Sequence, residues 1–383
     1  MRFTCRRAAA LLGASTLILF AACGDAADKT GDDAGGGSST REETDALVPS
    51  SGTIFYGRLD GVTERYLTIA PDGGNEQEIF EAEGCAPCAF LSPDGSRIMM
   101  PAVTDDDRLT TATTGADGSD RTVLELPDES LNLGPGAWSP DGERLALAGW
   151  DERHPSRAGI YTVRAADGSD LIQITKAADG SIHEPIAWSP DGRRILFFVE
   201  AGPVGPVTHA GDLFVVSVDG TDLQQLNPPG VLFGRVTAAG TAATWSPDGR
   251  EVAFGGLDAE AGDGRGAVFI VDVESGDTTQ LSESGNSFSS VGWSPAGEWI
   301  AYSGFGAPAV SLADPDGGDV VALEATEGAC CPVWSPDGTQ LLVQRGTEGA
   351  RDLWIVDLTG EVVSRVTEAP GDYFGYSWGG ASE

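Results

Sequence analysis

Short apolar runs of strand length recur along this chain, and each opens on a polar residue: Arg144-Leu-Ala-Leu-Ala148, Arg194-Ile-Leu-Phe-Phe198, Glu251-Val-Ala-Phe254 and Gln340-Leu-Leu-Val343. Runs this short, bounded by turn residues, predict strands rather than helices. The same five residues precede each run, Trp-Ser-Pro-Asp-Gly, complete at Trp138–Gly142, Trp188–Gly192, Trp245–Gly249 and Trp334–Gly338. Leu91–Gly95 carries Leu for Trp, Trp293–Gly297 carries Ala296 for Asp, and Trp378-Gly379-Gly380 is a worn last copy. Ser-Pro-Asp-Gly has the composition of a type I turn: Pro presets φ in second place, and Gly takes positive φ at the end. With a strand on either side it makes a tight hairpin. Six of the nine Trp stand at the motif's first position, where a large flat side chain suits the contact between neighbouring sheets.

The motif returns in one phase, at intervals of 41 to 57 residues, which is the signature of a repeat architecture. Between motifs the plan is constant. One strand ends at the motif and a second follows it. A third comes next (Gly159–Val163, Asp212–Val218, Ala267–Val273, Asp352–Leu358), then a tight turn and a short fourth (Leu171–Thr175, Leu223–Leu226, Thr278–Leu281, Val362–Thr367). This predicts an all-β fold: a seven-bladed β-propeller of four-stranded antiparallel blades, with six blades as the alternative. Ahead of the first motif, Thr53–Arg58, Arg65–Ala70 and Glu76–Phe80 read as the second to fourth strands of a blade that lacks its first. Asp372–Trp378, at the other end, has no blade of its own. Pairing the two closes the ring in the first blade and hides the edges an open array would expose. Residues 52–383 are thus expected to form one propeller.

Residues 1–22 read as a secretory signal. Arg2, Arg6 and Arg7 precede the uncharged run Ala8–Phe20, which is too short for an ordinary membrane helix. Leu19-Phe20-Ala21-Ala22-Cys23 resembles a bacterial lipobox, with Phe20 where Leu is usual. That resemblance implies a lipid on Cys23 and a place on the outer side of the bacterial cytoplasmic membrane. Residues 23–51 hold Asp25, Asp28, Asp32, Asp33 and a Gly-Ser run, the composition of a flexible acidic tether. The whole chain has 59 acidic and 23 basic residues, a formal charge of −36. Such a field repels phosphate backbones and excludes nucleic acid as a partner, while favouring cations or basic surfaces. Salt adaptation or solubility explains the same charge.

The repeated Trp-Ser-Pro-Asp-Gly, with its downstream apolar strand and Asp-Gly turn, resembles the WD40-like propeller repeat of TolB-type proteins over about residues 52–383. It is unlike a true WD40 repeat, since no Gly-His or closing Trp-Asp pair recurs. TolB carries an α/β domain ahead of its propeller, where this chain has the tether. The resemblance implies the propeller and an exported location, and no role in the Tol envelope system.

Strand order puts the motif turns and the Asp-Gly turns on one face. On the other face, Asp151–Ala158, Glu200–Gly211, Asn227–Ala243 and Leu257–Gly266 read as long loops. Binding tends to sit in variable loops on a rigid frame, so Asp151, Arg153, His154, His183 and His209 are the candidate ligand-face residues. Cys85 with Cys88, and Cys330 with Cys331, read as local disulfides in an exported protein, with redox or metal use as the alternative. His183 among acidic neighbours, or Asp105-Asp106-Asp107, is a candidate site for Ca2+ or another divalent metal, although solvated loops are the plainer reading and no cofactor is expected. Gly375-Tyr376-Ser377-Trp378-Gly379 fits a G-x-S-x-G nucleophile elbow. Only four residues follow it and none is His, so a shifted motif Ser explains it better and no catalytic residue is assigned. The expected function is a non-enzymatic, lipid-anchored monomer that binds an extracellular protein, peptide or glycan through the long-loop face. The alternative is a lyase or hydrolase with a metal-assisted site at the channel mouth, because TolB-like repeats occur in pectate-fragment lyases with His-rich metal sites.

Overall fold

In the computed structural model, which describes residues 2–4, 48–83, 88–125, 130–177, 181–204, 207–235, 243–260, 265–282, 288–304, 309–347, 349–368 and 371–380, each Ser-Pro-Asp-Gly forms a tight turn. Ser139 Oγ donates to Asp141 Oδ1 (2.6 Å), Glu143 N–H donates to the same oxygen (3.0 Å), and Arg144 N–H donates to Ser139 Oγ (2.8 Å). Gly142 N–H closes the turn on Ser139 O at 2.9 Å, and its φ of 71 turns the following chain so that the Glu143 and Arg144 N–H groups reach back to Asp141 and Ser139. The same wiring surrounds Ser92, Ser189, Ser246 and Ser335. Where Ala296 replaces Asp, Trp299 N–H still donates to Ser294 Oγ at 3.0 Å, and the carboxylate's share is lost.

Among the described residues, these turns join strands that fall into seven four-strand sets. The set from Asn132–Trp138 through Arg144–Trp150 and Gly159–Arg164 to Ile172–Gln173 shows the plan, antiparallel throughout. In the first set, Thr53–Asp60, Thr63–Ile69 and Gln77–Glu83 are completed by Asp372–Gly379 from the far end of the chain. That strand pairs antiparallel with Thr53–Asp60, from Thr53 opposite Gly379 to Leu59 opposite Asp372. Each innermost strand touches the next, from Phe90–Leu91 and Asn132–Trp138 round to Asp372–Gly379, which touches Phe90–Leu91 again. The ring closes as the sequence predicts.

The core is a series of apolar clusters, one at each junction between neighbouring sets. Met99, Leu133, Trp138 and Leu145 fill one, and Ile54, Tyr56, Leu342, Leu353, Tyr373 and Trp378 fill the closing one. The motif tryptophans tie these junctions with directed bonds. Trp138 Nε1–H donates to Phe90 O (2.9 Å), Trp188 to Ala137 O (3.2 Å) and Trp334 to Gly292 O (2.9 Å), each time the carbonyl just before the preceding set's motif. Trp245 Nε1 has no partner among the described residues. There Arg194 lies over the Trp245 ring at 5.2 Å and donates to Gly249 O at 2.7 Å.

That same junction holds the largest departure from the sequence reading. Glu200–Gly211 is not a loop, because the strands Arg194–Val204 and Val207–Ser217 continue through most of it as one long hairpin. Asn227–Ala243 contains a strand, Val231–Arg235, which pairs with His209–Gly211 on one side and with Gly256–Asp258 on the other. It fuses two sets into a nine-stranded sheet. The Gly and Pro in these segments suggested loops, but backbone partners supplied by another set override local preference. Arg2–Thr4, inside the expected signal, lies parallel to Gln77–Glu83.

The cysteines also depart from expectation. Cys88 and Cys331 form no disulfide, whereas Cys330 does, with a partner that is therefore neither of them. Cys85 and Cys23 lie outside the described residues. Cys331 is left-handed, φ 61, at an irregularity of its strand, and its Sγ lies 3.1 Å from Cys330 Sγ, in contact but beyond bonding distance. The backbone of the pair is also committed elsewhere, since Cys331 N–H donates to Ser303 Oγ (2.8 Å) and Tyr376 O–H donates to Cys331 O (2.7 Å). Both sulfurs are buried in the closing junction rather than on the long-loop surface.

Two outcomes are expected. Trp188→Phe removes a junction bond and costs about 1–2 kcal/mol, read as a lower urea midpoint at constant m, while Trp245→Phe costs clearly less. Alkylation in denaturant without reductant labels Cys88 and Cys331, and Cys330 becomes reactive only after reduction, as peptide masses will show.

Candidate binding site around the central channel

The innermost strands enclose a channel of about 620 Å3. Towards the motif turns its wall is made by Trp138, Trp188, Trp293, Trp334 and Trp378. Towards the other end stand Phe198 and Phe233, whose rings meet edge to face at 5.5 Å. Phe233 belongs to the strand Val231–Arg235 and was missed by sequence reasoning. Its only signal was the apolar run Val231-Leu-Phe233 after Pro-Pro-Gly. Among the described residues, Glu184 is the one charged side chain in the lining, one residue from the start of His183–Trp188. It is half-buried and gives an otherwise aromatic and aliphatic wall a negative charge.

Of the candidate residues, Asp151 and His154 come together, but as part of the loop's own structure. Asp151 is buried, and its carboxylate receives Ser130 Oγ (2.8 Å), Arg157 Nη1 (2.9 Å) and the N–H groups of Arg153 (2.9 Å) and His154 (3.1 Å), with His154 Nδ1 at 3.1 Å. Burial acts to raise its pKa, but the hydrogen bonds from Ser130, His154 and the two backbone N–H groups outweigh that and hold it well below the usual carboxylate range. Arg153 itself is exposed. His183 is elsewhere: its Nδ1 is 2.8 Å from Thr175 Oγ1, and its ring stacks on Phe197 at 5.1 Å. His209 sits in the long hairpin opposite Arg235.

The candidate metal ligands among the described residues do not form a divalent metal site. Among the described residues no three His, Cys, Asp or Glu side chains gather. Asp151 faces a guanidinium, and His183 is held by a hydroxyl and a ring. In the acidic run, Asp106 is taken up by Thr104 and by Arg108 Nε at 2.8 Å. Ser377 stands within the strand Asp372–Gly379, not at a strand-to-helix turn, and its buried Oγ has no partner among the described residues.

With this geometry in view, the chain can be compared with known proteins. A family model described as the TolB beta propeller domain matches residues 208–382. No curated protein sequence matches the chain. Among solved structures, an oligogalacturonate lyase in complex with manganese is similar at 15% identity and TM-score 0.57, over 82% of this chain and 96% of that one. A putative 6-phosphogluconolactonase from Bacteroides uniformis is similar at 13% identity and TM-score 0.52, over 86% and 99%. TolB from Acinetobacter baumannii aligns at 17% identity and TM-score 0.46, over 85% and 81%. At these identities the likeness is one of fold.

Acid dependence follows from the carboxylates. The hydrogen bond from Ser139 and the Glu143 N–H lower the pKa of Asp141, as Ser246 and the Arg250 N–H do for Asp248, so both move in the same direction as Asp151. Groups depressed in the folded state stabilise it fully above their unfolded pKa, about 3.9, and that stability is lost as pH falls through the folded values. Asp151→Asn is therefore expected to be less stable than wild type by about 1–3 kcal/mol at neutral pH. Denaturant titration at descending pH should show the gap closing below about pH 4.

Proposed function

We propose that this TolB-like β-propeller is an exported lipoprotein, anchored through Cys23, that binds rather than transforms its partner. The partner is an extracellular protein, peptide or glycan, and it meets the long-loop face and the channel mouth. One observation carries the reading: a channel of about 620 Å3 with an aromatic and aliphatic wall and, among the described residues, a single charged group, Glu184. A lining of apolar surface with few polar groups is the usual make-up of a recognition site. The absence of nucleic acid among partners follows from the charge of −36.

The alternative, a lyase or hydrolase with a metal-assisted site, has likeness of fold to an oligogalacturonate lyase behind it, and the described residues offer that metal no ligand set. The test is capture from intact envelope with the lipidated protein, followed by affinity measurement on the partner recovered. Glu184→Gln and Phe233→Ala are each expected to weaken binding about tenfold or more, as loss of a charged or aromatic contact does. Turnover of an oligosaccharide by metal-loaded protein, with no partner captured, would overturn the binding reading.

A further inference from the structure

The sets end on short outer strands, with one exception. Among the described residues, six of the seven finish on two to four residues at the rim: Thr122–Val123, Ile172–Gln173, Gln224–Gln225, Thr278–Gln280, Val320–Ala322 and Val362–Arg365. Short edge strands protect a sheet against pairing with another chain. The first set instead finishes on Gln77–Glu83, which is seven residues long. Another strand lies on that edge. Arg2–Thr4 adds to it in parallel, with Arg2 opposite Glu81, Phe3 opposite Ala82 and Thr4 opposite Glu83.

We propose that the rim of the first set is a docking edge, which takes an extended, basic segment of a partner protein as an added fifth strand. Strand addition of this kind draws affinity from main-chain hydrogen bonds and specificity from the alternating side chains. The inference goes beyond the contact at the long-loop face and shares one premise with it, that residues 1–22 are removed on export. Arg2–Thr4 leaves with them, and the edge at Glu81–Glu83 is then open to another strand.

Charge selects the occupant. The strands Thr53–Asp60, Thr63–Ile69 and Gln77–Glu83 carry five acidic residues, Asp60, Glu64, Glu78, Glu81 and Glu83, against two basic ones, Arg58 and Arg65. Arg65 is already engaged, with Nη1 2.5 Å from Glu78 and 3.1 Å from Glu81. A second copy of this chain is disfavoured, because pairing two such edges sets like charges opposite one another. Along the edge strand, Phe80 and Ala82 are buried against the second set, while Glu81 and Glu83 stay partly exposed. Residues opposite one another on neighbouring strands share a face. A partner strand in the register of Arg2–Thr4 therefore brings cationic residues to the face of Glu81 and Glu83, and an apolar residue between them to the face of Phe80 and Ala82.

The experiment uses the mature protein purified from membranes in detergent, after its intact mass has shown whether residues 1–22 are gone. The probe is a peptide of residues 1–7 with Cys5→Ser and a dye at its carboxyl end, followed by fluorescence anisotropy. Saturable binding is expected. In a parallel ladder only alternate residues of a strand direct their N–H groups to a given neighbour. Of two peptides N-methylated at alternate positions, one is thus expected to bind like the parent and the other at least tenfold more weakly, whereas charge attraction alone would leave the two alike. Glu83→Gln is expected to weaken the parent about twofold to fivefold, the range of a single exposed ion pair. No binding by the parent peptide, or equal binding by the two methylated forms, would overturn the docking edge and leave the long-loop contact standing. A mass that retains residues 1–22 would overturn both, and it is read before any peptide is added.

Discussion

At three joints of the ring, neighbouring sheets are tied by the indole N–H of a motif tryptophan. A sheet of four strands can bury its faces only against neighbouring sheets, and apolar contact alone is non-directional. Trp138, Trp188 and Trp334 add direction, because each reaches back to one particular carbonyl of the preceding innermost strand. A carbonyl buried at such a joint is costly if left unmade. The tryptophan therefore fixes how far one sheet slides on the next as well as satisfying the group. The Ser-Pro-Asp-Gly turn holds the indole's strand at the required height, through bonds between Ser139, Asp141 and Arg144 that recur in four other sets. Turn and tryptophan form one unit, which accounts for their appearing together in the sequence.

Much of this was legible in the sequence because it is local and repeated. A turn within five residues, a strand on either side and a fixed phase need no distant partner to be recognised. The closing strand was legible by arithmetic, since Thr53–Asp60 lacked a neighbour and Asp372–Gly379 lacked a blade. What escaped depends on contacts remote in sequence. Val231–Arg235 is a strand because His209–Gly211 and Gly256–Asp258 offer it two open edges. Adjacent cysteines suggested a local bond, yet Ser303 and Tyr376, from neighbouring sets, hold their backbone in another shape. Asp151 and His154 looked like ligands because polar loop residues often are. Here Arg157 and Ser130 consume the carboxylate within the loop itself.

The channel belongs between these cases. That the ring has an axis follows from the repeat, but its chemistry does not. Glu184 sits in a register that no local pattern distinguishes, and Phe233 reaches the lining only because its strand is inserted between two sets. Within a uniform frame, recognition is left to the positions where uniformity fails.

The fused sheet makes the ring unequal. Two adjacent sets share continuous hydrogen bonding through Val231–Arg235 and behave as a single plate, so their joint cannot open without breaking a β-ladder. The joint at Leu91, which has no indole to send back, is held by apolar packing around Phe55, Tyr66 and Phe374 and by Gly380 N–H on Pro93 O at 3.2 Å. Opening the ring between its first and second sets therefore separates mainly apolar surfaces, whereas opening it beside Phe233 means unzipping a ladder.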